Sequence, residues 1–509
     1  MKIIRSMTSR LTITVFLLVL QVAIITYLAS LGLTHFPFIA YIGIAVSVLA
    51  FSFIIKSNEE SAYKMSWVIV VLLFPVFGGA LYLLFGNKHS TGKVAKHAKE
   101  HALIAKHLDD DGKLSFINKI ACGRMYSLFE YVRNASSYHA YKNTQAKYFY
   151  RGELMFHDML AALENAEKFI FVEYFIIKES EMWNKLLEVM ERKANEGVDV
   201  RLIVDDVGSY RLFSRSYVTK LRSKGIKVLI FNPMIPLFLI FMNNRDHRKI
   251  TVVDGHTAFT GGINIADEYI NKKNRYGTWK DTGVKLQGDA VWSFTLMFIE
   301  MWDTFCKKHE RINDYLAYKH ASSEITPTDG FVLPYGDTPL GNDRLGENVY
   351  LDMLNQADRY VYIFTPYLII TDKMIHTLQL AAKRGVDVRI ITPSISDIGF
   401  VHRLARSYYR CLIEAGVKIY EYTPGFLHAK SFISDDKVAI VGTINLDYRS
   451  LYLHFECATL LYQSSVIHEI KNDFLHTIGE SEEIKLDNRK RRIWHELIDA
   501  VLHLFAPLM

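Results

Sequence analysis

Two parts of the chain repeat each other, and few architectures accommodate such a repeat. The run GVDVRLI that begins at Gly197 recurs as GVDVRII from Gly385, and FIFVEYFII from Phe169 matches VYIFTPYLI from Val361. The GVDVR runs follow amphipathic helical patterns and are typical of buried strands. Helices that alternate with strands predict an α/β sandwich with a mostly parallel sheet, formed once by each copy.

The length of 509 residues is too great for a single hydrophobic core and favours several domains. The repeat places one α/β domain at residues 141–311 and the second at residues 346–480, with a polar connector of residues 312–345 between them. The other predicted segments are a membrane module (residues 1–86), a basic linker with helices (residues 87–140) and a C-terminal amphipathic helix (residues 481–509).

The composition argues against disorder, nucleic-acid binding and a disulfide framework. Half of the residues are hydrophobic and 22% are charged, which is typical of folded domains. The net charge of +6 is too small to indicate a nucleic-acid partner, and it suits a protein that works beside anionic lipid. The four cysteines lie far apart, without the spacing of a metal site or of a small disulfide-linked scaffold: Cys122, Cys306, Cys411 and Cys457.

Three apolar runs precede the repeat and predict a transmembrane helical module. Leu11–Gly32 and Pro37–Ile55 are long enough to cross a bilayer, whereas Ser66–Phe85 is interrupted by Pro75 and a Gly-Gly pair. A secretory signal peptide would also explain the first run, but two further apolar runs follow it at once.

The basic residues on both sides of this module bear on its topology. Lysine and arginine precede the first run, and lysines recur within residues 87–108. The positive-inside rule places both flanks in the cytoplasm, which three full spans would not allow. We expect two spans and a bent third segment, and the sequence leaves open whether that segment spans.

Three further features each have two interpretations. The first copy carries an apolar insert, Met234–Met242, which is either an extra core segment or a lipid-dipping loop beside the site. The basic amphipathic stretch that begins at Arg489 either packs on a domain or touches anionic lipid. Glu173 and Tyr367 either line a pocket or serve packing.

The strongest match between the copies is a His-x-Lys pattern followed by Asp. Residues two apart on a strand share a face, so the His and Lys of each copy point the same way. Each Asp is seven residues from its His, which puts it on the other face, in a turn before the next strand. We interpret both Asp side chains as mainly structural, although they complete the candidate catalytic set: His247, Lys249, Asp254, His428, Lys430 and Asp435.

Four further polar residues follow the motifs at corresponding places. A catalytic histidine needs a partner, usually a carboxylate, to orient its ring and raise its basicity, and Asp281 and Glu456 are the candidates. Asn264 and Asn445 carry amides suited to hydrogen bonds with phosphate oxygens. A lone His-x-Lys pair would indicate little, but two matched copies predict one catalytic site shared by the two domains.

These motifs resemble the paired motifs of the phospholipase D superfamily, and within it the bacterial cardiolipin synthases. The resemblance covers nearly the whole chain. It implies two similar phospholipase D-like αβα sandwich domains with a pseudo-two-fold shared active site, preceded by an N-terminal transmembrane helical module. The matching runs are FPVFGG from Phe74, NRDHRK from Asn244, GGINIADEY from Gly261, TPYL from Thr365, GFLHAK from Gly425 and GTINLDYRSLYLHFE from Gly442.

The resemblance implies that the protein joins two phosphatidylglycerols into cardiolipin and releases glycerol. It suggests His247 as the nucleophile and His428 as the acid and base, although pseudo-symmetry leaves the opposite assignment open. The lysines supply the charge that a metal often supplies elsewhere, so no metal or other cofactor is expected. A phospholipase D-type hydrolase and a transferase that uses another alcohol remain alternatives, whereas a nuclease and an inactive membrane scaffold fit the sequence less well.

The expected partners are phosphatidylglycerol and anionic membrane lipid, without nucleic acid. The expected location is the bacterial cell membrane, as a multi-pass integral membrane protein whose catalytic domains face the cytoplasm. The sequence leaves open whether the chain forms a homo-oligomer.

Overall fold

The computed structural model describes residues 27, 37–57, 59–74, 77–86, 123–136, 138–233, 244–306, 314–315, 318, 329–341, 343–486 and 493–508. In chain order, its helices are α1 (Pro37–Lys56), α2 (Ser61–Leu73), α3 (Gly78–Phe85), α4 (Met125–Ser136), α5 (Gly152–Glu164), α6 (Glu181–Asn195), α7 (Asp206–Ser209), α8 (Arg215–Ser223), α9 (Val291–Phe305), α10 (Leu345–Gln356), α11 (Asp372–Lys383), α12 (Gly399–Ser407), α13 (Tyr409–Ile413), α14 (Tyr448–Tyr452), α15 (Val466–Gly479) and α16 (Ile493–Phe505).

The strands are β1 (Thr144–Phe149), β2 (Phe169–Tyr174), β3 (Asp199–Asp205), β4 (Lys227–Phe231), β5 (Arg245–Asp246), β6 (Lys249–Val253), β7 (Thr257–Gly261), β8 (Gly283–Gly288), β9 (Phe331–Asp337), β10 (Tyr360–Phe364), β11 (Leu368–Ile369), β12 (Asp387–Pro393), β13 (Lys418–Tyr422), β14 (Ser431–Ser434), β15 (Val438–Gly442), β16 (Leu446–Asp447), β17 (His454–Tyr462) and β18 (Ser481–Ile484). Two 3-10 turns lie at Asp267–Ile270 and Ala506–Leu508.

The chain divides into two compact units, which we call the terminal unit and the repeat unit. The terminal unit contains Met1–Ser90, Asn232–Arg245 and Arg492–Met509. The repeat unit contains Thr91–Phe231 and Asp246–Arg491, and therefore both histidine motifs.

In the terminal unit, helices α1, α2 and α3 surround a small apolar core. Ile54, Tyr63, Trp67 and Val71 are buried, and the Trp67 ring lies edge-on to Tyr82 with 5.5 Å between ring centroids. Across the described ranges of the chain, no helix combines the length and the hydropathy that crossing a bilayer requires.

The structure describes the three predicted apolar runs to different extents. Leu11–Gly32 lies outside the described residues apart from Tyr27, whereas Pro37–Ile55 falls within helix α1. The third run is divided between α2 and α3, as its proline and glycines predict. Residues 87–108 and the insert Met234–Met242 also lie outside the described residues.

In the repeat unit, each copy of the repeat forms one sheet, and the two sheets have the same strand order. The first sheet runs β1-β8-β7-β6-β2-β3-β4. The second runs β9-β17-β15-β14-β10-β12-β13, and β18 follows β13. The short strand β5 also pairs with β17. The duplicated α/β fold predicted from the repeat is confirmed at this level.

The prediction of a mostly parallel sheet is wrong. Strands β2, β3 and β4 are parallel to one another, as are β10, β12 and β13. In the first sheet β6, β7, β8 and β1 then follow β2 as antiparallel neighbours. In the second sheet β14, β15, β17 and β9 follow β10 in the same way. The cause lies in the turns that follow the motif strands β6 and β14. Asp254 and Asp435 begin these turns with φ of 51° and 56°, and so short a connection joins only antiparallel strands.

Alternation along β2 builds the two helical layers of the first sheet. Ile170, Val172 and Tyr174 belong to a core shared with α5, α6 and α8. Phe171 points to the opposite face, where its ring stacks on Phe298 of α9 at 4.4 Å between centroids. Helices therefore cover both faces of the sheet, as an αβα sandwich requires.

The second sheet is covered in the same way. Phe432 stacks on Tyr350 of α10 at 3.9 Å, and Tyr362 stacks on Phe474 of α15 at 4.8 Å. Phe432 pairs in register with Ile363, so the two stacks lie on opposite faces.

Two strands of the second sheet fall outside the predicted α/β domains. β9 lies in the segment predicted as a connector and pairs with β17 as β1 pairs with β8. β18 lies in the predicted C-terminal segment and pairs with β13. The loop prediction for this segment rested on the polar run Thr326–Gly330, which ends directly before β9, and Pro334 and Gly336 weaken the strand pattern of β9 itself. The domain boundaries themselves stay predictions.

Candidate active site

Each motif histidine is held by the backbone of the other copy of the repeat. The amide of His247 donates to the carbonyl of Phe455 at 2.9 Å, and that of His428 donates to the carbonyl of Lys280 at 2.7 Å. Phe455 belongs to the second sheet, whereas Lys280 precedes the last strand of the first. The two motifs are thus fixed crosswise, and each lies beside the segment that carries the opposite acid.

The carboxylates that contact the histidine rings also come from the opposite copy of the repeat. His247 Nδ1 lies 2.8 Å from Glu456 Oε1, and His428 Nδ1 lies 2.7 Å from Asp281 Oδ2. Both acids are fully buried and both histidines are 7% exposed. The two acids predicted to orient the rings therefore do contact them, but each histidine takes its acid from the other domain.

The motif lysines are buried next to the rings. Lys249 Nζ donates to the His247 carbonyl at 2.6 Å, and Lys430 Nζ donates to the His428 carbonyl. Lys249 is 0% exposed and Lys430 is 1% exposed. A buried ammonium is costly unless an anion compensates it, so two such lysines prepare the site for a negatively charged group.

Burial sets the ionisation of the site. It lowers the pKa of His428 to about 4 and, together with the charge of Lys249, lowers that of His247 well below its usual value. It also lowers the pKa of Lys249 to about 8 and of Lys430 to about 7. The rings are therefore neutral at pH 7, and a neutral ring is the form that acts as a nucleophile or base.

The aspartates of the two motifs do not face the histidines. The Asp254 carboxylate accepts from the backbone amides of Glu167, Lys168 and Phe169, each at 2.8 Å. Asp435 accepts from the amides of residues 358–360 at 2.7 to 2.9 Å. Both carboxylates hold the start of a neighbouring strand, which fits the mainly structural role expected for them, and their place in the candidate catalytic set stays a prediction.

The two asparagines expected as phosphate donors have different surroundings. Asn264 accepts from the amide of Ile176 at 3.0 Å and donates to the Tyr269 hydroxyl at 2.9 Å, so both ends of its amide are engaged within the fold. Asn445 Oδ1 is buried without a partner among the described residues. The geometry thus assigns Asn264 to the support of a loop.

The site offers one group of atoms with metal-ligand spacing. Donor atoms of His247, His454 and Glu456 lie within 4.8 Å of one another. Glu456 is already hydrogen-bonded to His247, and the buried Lys249 opposes a cation there. We therefore assign no metal to this group.

Comparison with known proteins places the chain in a family. Residues 159–278 and 350–478 match the family model described as "Cardiolipin synthase, PLD-like domain", and residues 45–87 match "Phospholipase_D-nuclease N-terminal". A cardiolipin synthase of Alkalihalophilus pseudofirmus is 33% identical over 460 residues, 89% of this chain and 90% of that protein. The chain belongs to the cardiolipin synthase family. As a member of this family, it is a phosphatidyltransferase.

Other relatives agree with this placement. A cardiolipin synthase of Halalkalibacterium halodurans is 31% identical over 511 residues, 99% of this chain and 100% of that protein. An uncharacterized protein of Streptococcus mutans is 44% identical over 460 residues, 90% of this chain and 99% of that protein. A crystal structure of phosphatidylserine synthase from Haemophilus influenzae shares the fold, with a TM-score of 0.54 at 17% identity over 72% of this chain and 93% of that one.

The sequence did not single out three residues that support this phosphatidyltransferase site. Thr443 Oγ1 donates to Glu456, and the Arg248 guanidinium donates to the Glu456 carbonyl at 3.3 Å. Trp279 lies 5.4 Å from His428 between ring centroids and contributes to its apolar surroundings. Arg248 and Thr443 lie within matching runs and Trp279 lies two residues before Asp281, so their position was a signal, but nothing in the pattern gave their roles.

A cluster of buried charge lies behind the first motif strand. Glu173 is 0% exposed, and its carboxylate lies 3.9 Å from the Arg248 guanidinium. Burial raises the pKa of Glu173 well above its usual range and that of Asp246 to about 7. Leu427 and Ala429 flank the histidine of the second motif where Asp246 and Arg248 flank the first. The two halves of the site are therefore unequal.

Proposed function

We propose that this enzyme transfers a phosphatidyl group from one phosphatidylglycerol to another, giving cardiolipin and glycerol through a covalent phosphatidyl-histidine. The observation that carries the proposal is the pair of buried ring–carboxylate contacts, one on each motif histidine, each beside a buried lysine. Two histidines oriented in this way suit a nucleophile and an acid–base that act on one phosphodiester.

In the first step, His247 Nε2 attacks phosphorus while its Nδ1–H keeps its hydrogen bond to the Glu456 carboxylate and stays on the ring. A bond forms between nitrogen and phosphorus, and the bond from phosphorus to the glycerol oxygen breaks. His428 gives its Nε2 proton to that oxygen, and glycerol leaves. The unequal surroundings of the two motifs favour distinct roles, and the resemblance to cardiolipin synthases motivates this assignment of them.

In the second step, the terminal hydroxyl of another phosphatidylglycerol gives its proton to His428, and its oxygen attacks phosphorus. The bond between nitrogen and phosphorus breaks, cardiolipin leaves, and both rings return to their starting state. Water in place of the second lipid would give phosphatidic acid, so transfer requires that water be excluded.

The lysines supply the charge that this sequence needs. Lys249 and Lys430 neutralise the phosphodiester and the additional charge that its oxygens carry in the transition state. The bound phosphodiester anion also favours protonated His428, whose pKa is about 4 while the site holds no anion. Binding of the substrate thereby prepares the general acid.

We infer further that the N-terminal segment attaches the enzyme to a bacterial cell membrane, as a multi-pass module with the repeat unit in the cytoplasm. The apolar runs and their basic flanks support this, as does the match of residues 45–87 to an N-terminal family model. The apolar composition of the insert Met234–Met242 suits contact with lipid.

The test is product analysis with purified full-length enzyme, phosphatidylglycerol vesicles and a chelator. Wild type gives cardiolipin and an equal amount of glycerol, whereas His247→Ala and His428→Ala give neither. His402→Ala is the matched control, since this histidine lies near Glu421, outside the site, and it retains activity. Phosphatidic acid as the sole product would instead indicate a hydrolase.

Intermediate trapping tests the assignment of the nucleophile. Enzyme quenched in denaturant after brief reaction with phosphate-labelled phosphatidylglycerol carries an acid-labile label on the peptide that contains His247. A label on the peptide that contains His428 would exchange the two roles, and a label on neither peptide would contradict the covalent route.

A further inference from the structure

Exposed apolar side chains are concentrated in the terminal unit. Among the described residues, 26 large apolar side chains are exposed, and 18 of them belong to the terminal unit against 8 in the repeat unit. The repeat unit nevertheless contributes most of the described residues. Soluble proteins rarely expose so many apolar side chains in one region, and an exposed apolar surface of this kind marks contact with lipid or with another protein.

Part of this exposed apolar surface lies on helix α16, near the C-terminus. On helix α16, Leu497, Ile498 and Val501 are 52%, 46% and 55% exposed. Leu497 and Ile498 precede Val501 by four and three residues, so both side chains lie on the face of the helix that carries Val501. This edge, which we call the α16 apolar edge, faces away from the described core of the terminal unit.

Helix α16 is attached to the N-terminal helices. Ser66 of α2 is 1% exposed, and its hydroxyl donates to the Leu504 carbonyl at 2.6 Å. Ala506, in the turn that follows α16, is 2% exposed. The end of the chain thus packs on the helices that follow the first apolar runs, while the α16 apolar edge stays uncovered.

The charge of the sequence that precedes helix α16 indicates which kind of partner contacts the α16 apolar edge. Four consecutive basic residues, from Arg489 to Arg492, directly precede helix α16. A basic cluster beside an amphipathic helix is the pattern that binds the surface of an anionic leaflet, because the cations meet the headgroups while the apolar face enters the acyl boundary.

We propose that the C-terminal helix is a second lipid contact of this protein: the α16 apolar edge lies in the interface of an anionic leaflet while the helix end docks on α2. The chain then meets the membrane with both of its ends. The proposal concerns lipid contact alone and stands or falls independently of the reaction that the enzyme catalyses.

The test places single fluorescent probes on the full-length enzyme in phosphatidylglycerol vesicles. Cys122, Cys306 and Cys411 are replaced by serine, and Cys457 is kept because it is fully buried. Leu497→Cys and Val501→Cys carry an environment-sensitive nitrobenzoxadiazole label. Leu380→Cys on α11 of the repeat unit is the matched control, since Leu380 is also 52% exposed.

We expect lipids that carry a spin label near the headgroup to quench the probes at Leu497 and Val501 and to leave the probe at Leu380 bright. Aqueous iodide should give the reverse order. Equal behaviour at Leu497 and Leu380 would overturn the proposal. Shielding of Leu497 from both quenchers would also overturn it and would indicate a second copy of the chain as the cover. Product formation by each labelled variant shows that it is folded.

Discussion

The chemistry of a single residue in this site depends on which ring nitrogen is engaged. Nδ1 of His247 and of His428 lies against a carboxylate, so Nε2 is the atom directed to the substrate. A carboxylate in this position fixes the tautomer and stabilises the imidazolium that forms when the ring accepts a proton. In the proposed mechanism the two acids act through the histidines, as positioning residues.

Replacement of the acid with its amide isolates this contribution. We expect Glu456→Gln to lower kcat about 100-fold with little change in KM, because a positioned acid–base group contributes on the order of 10²–10⁴ in rate. The control is Glu421→Gln, since Glu421 is buried and paired with Arg406 elsewhere in the repeat unit. Equal loss in the two variants would mean that Glu456 serves stability alone.

The two buried lysines predict an alkaline limit to activity. Burial lowers the pKa of Lys249 to about 8 and of Lys430 to about 7, so both lose their charge as the pH rises through this window. We expect kcat/KM for phosphatidylglycerol to fall on that side at constant ionic strength, because the neutral amines no longer attract the phosphodiester. Lys430→Arg should move the fall to higher pH, since a guanidinium stays protonated. If kcat/KM of this variant falls at the same pH as that of wild type, a group other than Lys430 causes the fall.

The motif residues and the two acids that contact the rings could be picked out from the sequence. Corresponding positions of the two copies carry the same kind of side chain, which makes such residues recognisable. It did not predict that Asn264 would be engaged by the Ile176 amide and the Tyr269 hydroxyl. Such contacts join segments whose relation depends on the fold, and a local pattern does not contain that information.

At the scale of secondary-structure elements, the motif aspartates clamp one strand to the turn of another. Asp254 ends strand β6 and accepts from three amides at the start of β2, and Asp435 does the same between β14 and β10. The strand that carries each histidine is thereby fixed against the centre of its sheet.

Removal of this clamp should cost stability and spare the chemistry. We expect Asp254→Ala to lower the free energy of unfolding by about 2 kcal/mol or more, because it leaves backbone amides without an acceptor and puts alanine at a φ of 51°. Urea unfolding measures the loss, and Asp254→Asn, which tolerates this φ, should lose less. A fall in kcat without a change in unfolding would restore a catalytic role.

The sheet topology shows where reasoning about elements was insufficient. Helix–strand alternation indicated parallel pairing, and in each sheet this holds for three strands only: β2, β3 and β4 in the first and β10, β12 and β13 in the second. The chain then continues through β6, β7 and β8 as antiparallel neighbours, with Asp254-Gly255 in the first turn. That turn was recognised in the sequence as a hairpin tip, and its consequence for the whole sheet was not drawn.

At the scale of the whole molecule, a buried ion pair joins the two copies of the repeat. Lys280 Nζ lies 2.6 Å from Asp473 Oδ1, and the two side chains are 7% and 9% exposed. The same lysine accepts the amide of His428 at its carbonyl. One residue of the first domain therefore contributes both to the attachment of the second domain and to the placement of its histidine.

This pair should dominate the stability of the repeat unit. We expect Lys280→Met to lower the free energy of unfolding by about 3–5 kcal/mol, since it leaves the buried Asp473 without its cation. The double variant Lys280→Met/Asp473→Leu should recover part of the loss, because it removes the unpaired charge as well. Denaturant unfolding of the two variants and of wild type decides this, and equal losses would show that the charge of Asp473 is otherwise compensated.

The crossing of the carboxylates also bears on how the enzyme behaves on dilution. One half of the repeat made alone would hold a histidine without its acid and an acid without its histidine, and two such halves would be active only after they associate. In the fused chain that encounter is intramolecular, and the effective concentration of one half around the other is set by the connector. Turnover per molecule should therefore be independent of enzyme concentration, whereas a mixture of separate halves would lose activity as it is diluted.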